Sequence, residues 1–420
     1  MKVAIVGSGV AGLVCAHLLH PEDDIVVYEA EDRPGGHVKT VAVKTESGDI
    51  NVDCGFIVFN ERNYPGFTKL LQRLGVESQP SVMSFSLACP AAGLEYGGTN
   101  LNSLFSDRTN MLRPSFLSMV KDVPRFNKAA RAIIDNDDVS TTLDEFISSN
   151  DFSRSFVDHY LIPLGSSIWS ADPTRFGAFP AAALARFFDR HGLLGLGGRP
   201  VWRTVTGGSA RYVDALVDPM KQRFRTASSV VGVTRDARGV SVQADEGSPE
   251  RFDRVIFACH ADQALAILGS SATRIEREIL GSFRFQPNQA TLHTDSSVMP
   301  RRRRAWASWN YRHVTNERHE QLVDRATITY YANVLQSLDS PVPLLTTLNS
   351  DHSIDPSKVI ERFNFSHPVF DTGAMLAQRR HEEVLGANHT YYCGAYWGYG
   401  FHEDGVQSAV RVMRHFGRAL

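Results

Sequence analysis

Residues 7–12 read Gly7-Ser8-Gly9-Val10-Ala11-Gly12, and they stand between the short run KVAIV and the helical pattern LVCAHLL. Three glycines at this spacing, following a buried strand and opening a helix, constrain the fold more than any other feature of the chain. Gly7 permits the tight turn, Gly9 lets backbone approach a pyrophosphate, and Gly12 lets the helix pack closely on the strand. The helix N-terminus, with Ser8 before it and Ala11 in its first turn, then faces the phosphates. A second strand, Ile25-Val26-Val27-Tyr28, ends at Glu29, seventeen residues after Gly12. A carboxylate there accepts hydrogen bonds from ribose hydroxyls and disfavours a 2′-phosphate.

Behind that acid come Ala30 and then Glu31-Asp32-Arg33-Pro34-Gly35-Gly36-His37. The second glycine pair lets backbone pass close to a flavin's phosphates and ribityl chain, which a nicotinamide dinucleotide does not require. The expected cofactor is therefore FAD. It is expected to be bound non-covalently.

Composition sets the outer limits. A chain of 420 residues exceeds one ordinary domain. With 43% hydrophobic and 21% charged residues and a net charge of −2, it has the balance of a soluble globular protein and no basic field for nucleic acid. The five cysteines, Cys15, Cys54, Cys89, Cys259 and Cys393, form no CxxC pair, which argues against a disulfide framework or a zinc site. No metal is expected, a cytoplasmic location is, and nothing in the sequence sets an oligomeric state.

The strings VYEAEDRPGGH and VDCGFIVFN (Val52 to Asn60), together with YYCGAYWGYGFHEDGV (Tyr391 to Val406), resemble the flavin amine oxidase and phytoene desaturase superfamily. Within it, YPGFTKLLQRLGV, MSFS, SWNY, GAYWGYGFHEDG and the pair Gly207-Gly208 resemble a bacterial group of NAD/FAD-binding proteins often encoded beside cyclopropane-fatty-acid synthases. The resemblance implies an α/β fold: a Rossmann-like (GR2-type) FAD-binding domain plus a discontinuous α+β substrate domain with helices and an antiparallel sheet. It also implies that the C-terminal motif holds the flavin through Gly394, His402, Gly405 and Val406, and that Val231 meets the adenine.

With flavin motifs at both ends, the FAD domain has to be discontinuous, here 1–70, 204–270 and 375–420. The substrate domain is assigned to 71–203 and 271–374. The first of these stretches shows helical spacing through Phe126 to Ile134 and Ser155 to Ile162; the second alternates like a sheet in Ala305 to Tyr311 and Ala326 to Tyr331.

Few catalytic side chains are required when a flavin accepts the hydride. His402 is the first candidate, either touching flavin or substrate or capping its helix, and Tyr399 is the second. His37 reaches a flavin edge or makes a structural hydrogen bond. His293 and His367 are read as structural histidines. Trp309, Tyr311, Tyr331 and Trp397 are the expected substrate-pocket aromatics, with core packing as the alternative. Amine oxidases of the superfamily commonly use a substrate-domain lysine, yet none occurs between Lys221 and Lys358. Glu403 or Asp404 is the expected replacement for an acid that relatives carry after the residue matching Gly394.

The leading expectation is an FAD oxidoreductase that dehydrogenates or otherwise modifies an unsaturated or cyclopropane-type fatty acyl chain. An amine oxidase releasing peroxide, a redox-neutral double-bond isomerase and a non-catalytic escort protein are the alternatives. Arg301 to Arg304 form a solvated turn or meet an anionic phospholipid surface, and the apolar residues of Met111 to Val123 suit peripheral contact at the inner membrane face.

Overall fold

The computed structural model describes residues 1–45, 48–135, 139–195, 197–313, 326–350 and 353–420. Five strands form one parallel sheet in the order Phe224–Arg225, Asp24–Tyr28, Lys2–Val6, Arg254–Phe257, Thr390–Tyr392. Val3, Ala4, Ile5, Val255 and Ile256 are completely buried, as short strands covered on both faces must be, with helices on one side and the strands that carry Val230, Val233, Val240, Val242 and Phe252 on the other. Only Lys2–Val6 and Asp24–Tyr28 follow one another directly in the chain, and the sheet is sewn from both ends of the chain and its middle.

The opening helix, Val10–Leu19, and the closing helix, His402–Arg414, pack side by side. A Cβ on Gly405 would stand 2.6 Å from Val10 Cγ1, so the approach depends on that glycine. A Cβ on Gly12 would lie 2.0 Å from the Gly7 carbonyl oxygen, which is the close packing the third glycine of the motif exists to allow. The hairpin read around Asp236 to Gly239 forms as Val230–Asp236 and Gly239–Ala244, and Glu250–Phe252 joins it as a third strand.

Above this lies a seven-stranded sheet in the order Val359–Val369, Arg284–His293, Leu345–Leu348, Ile328–Tyr331, Trp309–Arg312, Phe85–Cys89, Leu94–Gly97. It is antiparallel, as expected, with one exception, where Trp309–Arg312 runs parallel to Phe85–Cys89. The helices Pro114–Arg131, Ile162–Trp169 and Ala181–Arg190 bury an aromatic core with its Tyr311 side that includes Phe126, Phe156, Trp169 and Phe188. The strand read from Ala305 starts only at Trp309, because Arg303–Ala305 closes a single tight turn through the Ala305 amide and the Arg302 carbonyl.

Side chains alternate across this sheet, and the register assigns its faces. Trp309 lies opposite Tyr330 and Tyr311 opposite Ile328. Ile328 faces Leu348, Leu348 faces Ala290, and Phe365 faces Asn288. Trp309, Tyr311, Tyr330 and Phe365 therefore share one face, while Asn310, Thr329 and Tyr331 point from the other.

Candidate functional site

The opening helix begins at Gly9 without any side-chain cap, and a Cβ on Gly9 would meet nothing within 4 Å. Uncapped first-turn amides beside open space make an anion cradle. Gly7, Gly35 and Gly36 have φ of +99°, +126° and +57°, conformations that side-chain-bearing residues rarely adopt. The Gly35 amide donates to the Ser8 carbonyl at 3.1 Å, and a Cβ on Gly36 would come within 3.0 Å of Gly9 Cα, so the two glycine loops close on one another.

Glu29 is buried at the end of its strand. Its carboxylate accepts from the Ser8 amide at 2.9 Å, from the Ser8 hydroxyl and from the Glu31 amide at 3.0 Å. It keeps acceptor capacity for ribose hydroxyls, since two carboxylate oxygens offer about four lone-pair sites. The Ser228 amide donates to the Glu29 carbonyl and the Ala227 amide to the Glu31 carbonyl, which brings the following strand alongside. There Val230 pairs with Ala244 and Gly232 with Gln243, leaving Val231 as the extra residue of a bulge with its side chain 56% exposed. A bulged residue keeps its backbone out of the ladder, which suits it to an adenine edge. Arg33 lies within charge range of Asp214, and Ala30 is exposed beside Glu29.

Next to the second glycine pair stands a group of histidines from four separate segments. The His37 ring lies 6.0 Å from His260, 5.3 Å from His367 and 5.1 Å from Phe365, on which it stacks. His260 stacks on Phe285 at 4.2 Å. His402 stacks on Phe56 at 3.5 Å and shares a 2.9 Å hydrogen bond with the Tyr212 hydroxyl through Nε2. Burial pushes His37 and His260 down to about 4 and His367 and His402 to about 3. The charges beside His37, on Glu31 and Lys39, are paired with one another. All four residues retain some accessible surface, and burial keeps the four imidazoles uncharged at pH 7.

His402 and His37 thus stand together, and Gly394 packs so closely that a Cβ would sit 2.5 Å from the Tyr396 ring. Tyr399 turns its ring toward Phe187, at 5.9 Å, and its carbonyl accepts from Trp169 Nε1. Val406 is fully buried against the helix Pro65–Leu74, leaving at most its backbone for a cofactor. Both acids of this motif are engaged by the protein's own amides. Glu403 accepts the Gly66 and Phe67 amides, both at 2.9 Å, capping Pro65–Leu74, and Asp404 accepts the Phe401 amide, capping its own helix.

Among the substrate-pocket aromatics, Trp309 is half-buried on the face that carries Phe365 toward His37. The other three lie elsewhere. Tyr331 lies on the opposite face, 5.7 Å from Trp306, and its neighbour Tyr330 takes the inner position, with its ring 5.2 Å from Trp309. Trp397 is core, stacked on His381 at 3.7 Å and packed on Phe283. Tyr311 is buried against Ser166 and lines a different cavity. His293 is structural as read, held by Thr347 and the Asp295 amide, whereas His367 joins the site. His260, Phe56, Tyr212 and Phe365 escaped sequence reasoning. His260 had a usable signal, since it follows the C-terminal end of a parallel strand, where open α/β sheets bind ligands. Among the described residues, no group of three His, Cys, Asp or Glu is placed to hold a metal ion.

Two glycine loops on an uncapped helix, a ribose acid and a bulged adenine strand fit the diphosphate, ribose and base of FAD, and define a flavin-dependent oxidoreductase. Residues 10–302 match the model of the flavin containing amine oxidoreductases, and the chain belongs to that family. A curated relative, coproporphyrinogen III oxidase of Mycobacterium leprae (strain TN), is 26% identical over 291 residues, 64% of this chain and 62% of its own length. Among solved structures, a cofactor-binding redesign of putrescine oxidase superposes with a TM-score of 0.70 at 14% identity, covering 99% of this chain and 98% of that one. Cyclohexylamine oxidase from Brevibacterium oxydans IH-35A gives 0.68 at 15%, covering 99% of each. A CLA-producing fatty acid isomerase from P. acnes gives 0.67 at 15%, covering 99% and 98%. At these identities the likeness is one of fold.

Proposed function

We propose that this FAD-dependent oxidoreductase dehydrogenates an unsaturated or cyclopropane-type fatty acyl chain. The observation that carries the reading is the neutrality of the site. His37, His260, His367 and His402 are all uncharged at pH 7, and the inner face of the upper sheet presents Trp309, Tyr330 and Phe365 beside them. An ammonium substrate finds aromatic faces there but no carboxylate to offset its loss of water. An acyl chain needs only apolar area, at about 0.8 kcal/mol per buried CH₂.

FAD, when bound, supplies the two-electron acceptor for a hydride from carbon. The chain's own residues cradle the diphosphate at Gly7 to Gly12, fix the ribose at Glu29 and line the reacting space with neutral imidazoles. Tyr212 fixes the ring of His402 through Nε2, leaving its other nitrogen for cofactor or substrate.

The same neutral site suits a redox-neutral shift of a double bond, and a CLA-producing fatty acid isomerase from P. acnes is among the structurally similar proteins. An anaerobic titration of the yellow protein separates these readings. Bleaching on addition of unsaturated phospholipid supports dehydrogenation, and a moved double bond without net bleaching supports isomerisation. Bleaching by polyamines alone overturns both.

A further inference from the structure

We infer that the surface formed by residues 101–117 and 301–304 docks on a bilayer of anionic phospholipid. The segment inverts the usual pattern of burial. Ser103 and Asn110 point inward, donating to the backbone carbonyls of Gly97 and Glu95 at 3.1 Å, while Leu101 and Leu112 are 74% and 86% exposed and Met111 and Leu117 about half exposed. These four are a third of the twelve large hydrophobic side chains exposed among the described residues. Their outward direction is built in. Asn100 and Ser103 cap Leu101–Leu104 reciprocally, Asp107 caps Arg108–Leu112, and Pro114 opens the helix that follows. A clustered, rigidly presented apolar patch marks a contact surface.

The charges around the patch select the partner. The turn Arg303–Ala305 packs against Leu101–Leu104. Arg302 satisfies the two acids beside it, pairing with Glu95 at 3.0 Å and Asp107 at 3.1 Å, both buried. Arg301, Arg303 and Arg304 remain exposed, as does Arg108, and residues 98–121 contain no acid other than Asp107. Arg303 lies over Trp306, 4.7 Å from the ring, and Trp306 meets Tyr331 edge-on, an Arg and aromatic grouping suited to a headgroup layer. A second copy of the chain would oppose these arginines with the same charge, whereas phosphate headgroups neutralise them.

A cavity of about 510 Å³ opens beside the patch. It is lined by Cys89, Ala91, Ala92, Ile162 and Tyr311 among others, and Arg113 donates to the carbonyls of Ala92 and Gly93 at its rim. Docking stands without the acyl-chain reading.

The test is co-sedimentation of the flavin-loaded protein with vesicles of phosphatidylcholine alone or equimolar phosphatidylcholine and phosphatidylglycerol. Binding to the anionic vesicles only is expected, weakened about fivefold for each arginine neutralised in Arg303→Gln and Arg304→Gln. Leu101→Asp with Leu112→Asp should abolish it while leaving the flavin spectrum, the melting temperature and turnover of detergent-dispersed substrate unchanged. Docking of a protein that oxidises no lipid would support this inference and remove the substrate reading. Wild-type protein that fails to sediment with either vesicle, variants that sediment equally well, or a dimer lost in the leucine variants would each overturn it.

Discussion

Two glycines of one motif separate folding from cofactor binding. At Gly12 an added Cβ meets the Gly7 carbonyl at 2.0 Å, backbone that cannot yield, whereas at Gly9 it meets nothing within 4 Å. Gly12→Ala should destabilise the protein by about 3 kcal/mol, the upper range for overpacking. Gly9→Ala should leave the melting temperature of the apoprotein unchanged while weakening FAD at least about tenfold, or 1.4 kcal/mol, by fluorescence titration. Equal effects at the two positions would contradict the cradle. The buried histidines give the residue scale a second signature. Unfolded, they titrate near 6.5; folded, His37 and His260 titrate near 4. Between those values the unfolded chain binds more protons, so stability is complete above 6.5 and falls as pH drops toward 4. The melting temperature should be flat near neutrality and decline across that window, and a flat profile throughout would mean the imidazoles are solvated.

At the scale of elements, the closing helix does two jobs with adjacent acids. Glu403 caps a neighbouring helix through two amides, so Glu403→Ala should cost about 2 kcal/mol through unsatisfied buried donors while the flavin spectrum stays as it was. This scale also shows where sequence suffices. The glycine motif, Glu29 and the hairpin at Asp236 were legible because their chemistry is local. Tyr330 and Tyr331 were not separable, because both alternate positions are aromatic and only the pairing with Trp309 decides which turns inward. Trp397 and the acids at 403 and 404 misled because the motif gives their place along the chain but not the helix or ring they meet. The histidine group was invisible for the same reason, since residues 37, 260, 367 and 402 converge only in three dimensions.

For the whole molecule, FAD bridges segments that the chain leaves far apart. Strands from near residues 2, 24, 224, 254 and 390 must assemble before the cradle exists. Ligand that binds only this assembled state stabilises all of it. FAD at a hundredfold excess over its Kd should add about 2.7 kcal/mol, seen as one cooperative transition moving upward rather than as a separate domain melting. Two transitions, only one responding to FAD, would show that the upper sheet and its helices fold independently of the nucleotide domain.

The position of the strand Thr390–Tyr392 at the edge of the parallel sheet, with the closing helix after it, has a consequence for biosynthesis. A ribosome lays down the phosphate loop first and the flavin loop last, so a nascent chain carries its glycine fingerprint long before it offers a complete berth for the cofactor. Flavin capture then waits for the strand Thr390–Tyr392, and chains arrested before residue 390 should emerge colourless however much FAD is supplied during synthesis.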